Sequence, residues 1–66
     1  MKVIDVKRKL KDLGISATVE SVNQHYIDIR VNVKDAEIVE RELEAVPIGM
    51  GFDYNSQTLV RRISRR

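Results

Sequence analysis

The chain has 66 residues, no cysteine and a formal net charge of +2, with 42% of its residues apolar and 33% charged. A domain this small hides only about 60% of the surface its unfolded chain exposes, which leaves little interior for a shielded catalytic pocket. Without thiols, neither disulfides nor a structural zinc site can staple the fold. No apolar run approaches the ~18 residues of a membrane span, so the expectation is a soluble cytoplasmic domain, not an enzyme, with no membrane contact, metal or small-molecule cofactor. The Glu, Lys, Arg, Ile and Val bias is thermophile-like.

Val3, Val6, Leu10 and Leu13 recur at helical spacing between lysines, and Gly14 follows where a helix-ending glycine belongs, predicting a first helix over Val3–Leu13. From Ile15 the period changes to two. Ile15, Ala17 and Val19 alternate with polar residues, and Ile27, Ile29, Val31 and Val33 resume the alternation, which predicts a hairpin with one wet face. A three-residue loop at Val22–Gln24 would set Val19 opposite Ile27, Ala17 opposite Ile29 and Ile15 opposite Val31, with Asn23 or Gln24 left-handed.

Asp35 is a suitable N-cap for a second helix whose stripe is Ile38, Val39, Leu43 and Val46, ended by Pro47. Met50, Phe52 and Tyr54 then alternate with Gly51 and Asp53, and Asn55-Ser56-Gln57 offers turn chemistry before a last strand at Thr58–Ile63. Leu59 and Ile63 share one side of that strand and Val60 takes the other, so its buried face is open. A shift of 33 residues lays Val6 on Val39, Leu10 on Leu43 and Ile27 on Val60, the pattern of a repeated αββ unit. Each unit has an apolar stripe and an apolar sheet face too small to hide alone. The expected fold is therefore a single α+β domain over 1–66, αββαββ, with two helices on one face of a four-stranded, mainly antiparallel sheet. The rival reading makes Met1–Asp5 the first strand of a ferredoxin-like βαββαβ fold, at the cost of shortening the first helix to Val6–Leu13.

The small net charge is a cancellation. Residues 1–34 carry +3, residues 35–60 carry −5 and the last six carry +4, so the first helix is basic, the second acidic and 61–66 a basic C-terminal tail. Arg61, Arg62, Arg65 and Arg66, joined by Lys7, Arg8 and Lys11, are candidate phosphate contacts for a nucleic acid, because the planar guanidinium fork matches phosphate. The open sheet face would show Tyr26, Asp28, Arg30 and Asn32 beside Ser16, Thr18 and Glu20. On it, Tyr26 and Arg30 are candidates for stacking and holding a single-stranded base.

Other constellations are poor in chemistry. His25 falls in the hairpin turn without a partner pattern, and Gly49-Met50-Gly51 follows a helix, whereas a phosphate cradle precedes one. Glu37, Glu40 and Glu44 have the spacing of a wet helix face. The function expected is a small non-enzymatic binding or interaction module that meets a protein partner or its own copy through a sheet face or edge. If Thr58–Ile63 is that edge, Arg61 and Arg62 block it. The alternative is a nucleic-acid-binding accessory protein using the C-terminal arginine cluster.

Overall fold

The computed structural model describes residues 1–65. Helix α1 runs from Val3 to Asp12 and buries Val6 and Leu10. It ends in a Schellman motif: Gly14 is left-handed at φ 72°, its amide donates to Lys11 O at 3.0 Å, and the Ile15 amide donates to Leu10 O at 3.0 Å. Ile15 thereby packs on Leu10 as the hydrophobic contact of that motif and joins the core. Because Met1–Asp5 leads into α1, the ferredoxin-like alternative does not hold.

Strands β1 (Ala17–Ser21) and β2 (Tyr26–Asn32) form the hairpin in the register Ala17–Val31, Val19–Ile29 and Ser21–Ile27. This differs by two residues from the expected pairing. The loop needs four residues because the Asn23 side chain closes it, its Oδ1 accepting from the amides of His25 at 2.8 Å and Tyr26 at 3.0 Å. Neither Asn23 nor Gln24 is left-handed. A slip of two preserves the face of every side chain, so Ala17, Val19, Ile27, Ile29 and Val31 still point to one side.

A 3₁₀ turn at Val33–Asp35 follows, capped by the Asn32 side chain, whose Oδ1 accepts from Lys34 N at 3.0 Å. Helix α2 (Ala36–Leu43) buries Ala36, Val39 and Leu43 and ends earlier than Pro47, at Glu44, which is left-handed at φ 54°. Val46 lies beyond the helix and is exposed. A left-handed β-carbon sits close to the following carbonyl, so Glu44→Gly is expected to raise stability by about 0.5–1 kcal/mol, measured as a rise in urea midpoint at unchanged slope.

Strand β3 is only Val46–Pro47, and β4 is Thr58–Ser64. All pairings are antiparallel and the sheet order is β1-β2-β4-β3. The expected strand at Met50–Tyr54 is instead a loop that joins β4 only through a bridge between Asp53 and Thr58. Proline serves at β3 because that strand is an edge, where a missing amide costs no ladder bond. Both helices lie on the face that carries Ile27, Ile29, Val31 and Ile63, and these side chains join Val6, Leu10, Val39 and Leu43 in one core. The expected α+β architecture is thus observed. The repeat breaks in the last strand, because Ile27 faces the core whereas Val60 pairs with Arg30 on the opposite face.

Candidate functional site

The sheet face away from the helices presents Thr18 and Glu20 of β1, Tyr26, Asp28, Arg30 and Asn32 of β2, and Thr58, Val60 and Arg62 of β4. The β1 and β2 residues are those the alternation predicts. Their side chains are largely committed to one another. Arg62 grips Asp28 with both arms of its fork, Nε to Oδ1 at 2.8 Å and Nη2 to Oδ2 at 3.1 Å. Its guanidinium carbon stands 5.3 Å from the centre of the Tyr26 ring. The hydrogen bond to Asp28 makes Arg62 still harder to deprotonate. The ring surface expected to stack a base is therefore already in contact with a cation.

Arg30, the other candidate on this face, donates from Nη1 to Gly51 O at 2.8 Å and to Thr58 Oγ1 at 3.0 Å. It ties the loop between β3 and β4 down onto the sheet. Gly51 has φ 87°, and a β-carbon there would lie 2.7 Å from Val60 Cγ2. Gly51→Ala is therefore expected to cost about 1–3 kcal/mol and to release the loop, read as a lower unfolding midpoint together with shifted amides at 49–54. The turn beyond is held by Asp53, whose Oδ1 accepts from Asn55 N and whose Oδ2 accepts from the Ser56 hydroxyl, each at 3.0 Å. The Ser56 hydroxyl foremost, and then the Asn55 amide, keep the Asp53 carboxyl below the ordinary carboxylate range. Met50 is 71% exposed and Tyr54 82%, and Phe52 meets Tyr54 edge to face at 4.9 Å.

The arginines expected as a basic tail are not one surface. Residues 61–64 belong to β4, an inner strand, so Arg61 and Arg62 block no edge, and the strand alternation sends them to opposite faces. Arg61 lies on the helix side and donates from Nε to Glu40 Oε2 of α2 at 3.0 Å. Arg65 reaches back to the β1–β2 loop, where Nε donates to Asn23 O at 2.8 Å, Nη2 meets Ser21 Oγ, and its amide donates to His25 O at 2.9 Å. Its own carbonyl accepts from the amino terminus. Arg66 lies outside the described residues. Lys7, Arg8 and Lys11 are exposed on α1, which packs against β1, two strands removed from β4. They stand on a different element from Arg61 and Arg62, whose guanidinium groups are paired with Glu40 and Asp28.

The topology creates a site that the alternation alone does not reveal. With β4 inside the sheet, β1 becomes an outer strand. The Val22 amide donates to Tyr26 O, so by the antiparallel pattern the even residues of β1 bond to β2, and the N–H and C=O groups of Ala17, Val19 and Ser21 point outward. A groove lies between this edge and α1, lined by Leu10, Ile15, Ala17 and Val19, with the exposed Lys7 and Lys11 at its rim. The one signal in the sequence is the composition of β1, Ala-Thr-Val-Glu-Ser, which has no proline, lysine or glycine to protect an edge. Compared with protein-family models, curated proteins and solved structures, the chain shows no match.

Proposed function

We propose that the protein is a non-enzymatic interaction module that takes up an extended segment of a partner protein along the outer edge of β1. The observation that carries this reading is the row of outward backbone groups at Ala17, Val19 and Ser21, on a five-residue strand paired on one side only. Added main-chain hydrogen bonds give affinity in this mode, and pockets for alternate side chains give specificity. The opposite edge is a poor competitor, since β3 has two residues and one of them is proline.

The test is an amide titration of the labelled protein with the neutral peptide Thr-Val-Thr-Gln-Thr-Gln-Thr-Val-Thr. Shifts and slowed hydrogen exchange are expected at 17–21. The Ala17→Pro variant, which removes an outward donor and keeps every β1–β2 bond, is expected to fold and to bind at least several-fold more weakly. Unmoved β1 amides would reject the reading. The second reading, nucleic-acid binding, draws on the exposed Lys7, Arg8 and Lys11. It would take over if a single-stranded oligonucleotide, and not the peptide, shifted α1 with an affinity that falls steeply with salt.

A further inference from the structure

Resting on the edge-addition reading, we infer that the segment accepted at β1 is acidic, with two carboxylates on its helix-facing side, and that it comes from a different protein, not a second copy of this chain. The argument starts from what borders the edge. The side chains of Ala17 and Val19 lean to the helix side, so a strand laid beside them places its own alternate side chains against the flank of α1. That flank offers an apolar floor from Leu10 and Ile15 and two ammonium groups, Lys7 and Lys11.

The spacing of those groups matches an extended chain. Residues i and i+4 of a helix are separated by a rise of about 6 Å, and residues i and i+2 of a strand by about 6.6 Å. Two carboxylates on one face of the incoming strand can therefore meet Lys7 and Lys11 together. No carboxylate lies among the residues that line this groove. Glu20 belongs to the other face of β1, so the side chains of the incoming strand that fall there are best neutral or basic. The partner motif is an acidic residue, any neutral residue, then a second acidic residue, flanked by apolar positions of the same parity.

The same charges disfavour self-association at this edge. If two β1 strands paired with each other, the flanks of two α1 helices would approach, bringing Lys7 and Lys11 of one copy toward those of the other. A like-charged approach of this kind opposes the pairing, whereas an acidic strand is drawn in.

The experiment compares three peptides on the intact labelled protein: Thr-Val-Thr-Glu-Thr-Glu-Thr-Val-Thr, its glutamine counterpart used above, and its lysine counterpart. The glutamate peptide is expected to move the amides of Ala17, Val19 and Ser21 together with those around Lys7 and Lys11, and to bind about tenfold more tightly than the lysine peptide. In the double variant Lys7→Ala, Lys11→Ala, exposed helix positions where alanine favours the fold, that preference is expected to shrink below about twofold. Equal affinity for the three peptides would overturn the acidic motif and leave edge addition standing. Shifts confined to α1 would overturn it as well, as they would mean attraction to the helix without strand pairing. If no peptide moves β1, edge addition fails and the inference fails with it. A dimer at low salt that is dispersed by Val19→Pro would overturn the assignment to a different protein.

Discussion

Ile29→Ala is expected to remove a large share of the folding free energy and to lower the urea midpoint far more than Ile29→Val does. Ile29 is fully buried at the middle of β2, between Val19 of β1 and Arg61 of β4, and its side chain lies under both helices in the single core. Trimming a buried isoleucine to alanine costs about 2–5 kcal/mol, from lost transfer energy and the cavity that remains. A domain of this length has a total stability of about 3–10 kcal/mol, so the substitution removes between a fifth and all of it. Ile29→Val, which deletes one methylene, is expected to cost about 0.5–1.5 kcal/mol and to stay folded. Urea unfolding followed by far-ultraviolet circular dichroism measures both. Equal midpoints for the two variants would contradict the described core.

Asp28→Ala is expected to lower the urea midpoint, because it removes both acceptors of the two-point contact with Arg62. Its side chain is 16% exposed and that of Arg62 is 31% exposed, so water screens the two-point contact only partly. Removing the carboxylate leaves the Arg62 guanidinium on the open sheet face with the Tyr26 ring as its neighbour and water as its acceptor, so the loss is that of a paired contact. A double-mutant cycle with Arg62→Met separates the terms. The double variant is expected to lose less stability than the two single changes added together. Strict additivity of the two single changes would mean that the pair contributes nothing.

The helices and the two-faced hairpin were legible because their signals are local. Val6 and Leu10 are one turn apart, and Ile27, Ile29 and Val31 alternate, so the buried face of each element follows from period alone. The register was legible only in parity, since the Asn23 side chain lengthened the loop and the helix cap took Ile15. The third strand was misplaced because Met50, Phe52 and Tyr54 alternate as a strand would, while Gly51 is left-handed and closely packed on Val60. The arginines read as a free cluster for a related reason. Arg61 and Arg62 meet Glu40 and Asp28, partners 21 and 34 residues away, and no count along the chain reveals such neighbours. The exposed edge at β1 depends on strand order, a long-range property that neighbouring residues do not encode.

That strand order also dictates how the molecule must fold. The inner strand β4 is the last element in sequence, and it enters between β2 and β3 by pairing with residues as far as 38 positions upstream, Ser64 with Tyr26. The β1–β2 hairpin can close early at the modest entropic cost of a short loop, yet its inner flank stays unsatisfied until β4 arrives. The rate-limiting event is then a long-range closure late in the reaction, which makes folding slow for so short a chain. Substitutions that weaken the β2–β4 pairing are therefore expected to slow folding, read as a lower refolding rate in stopped-flow mixing.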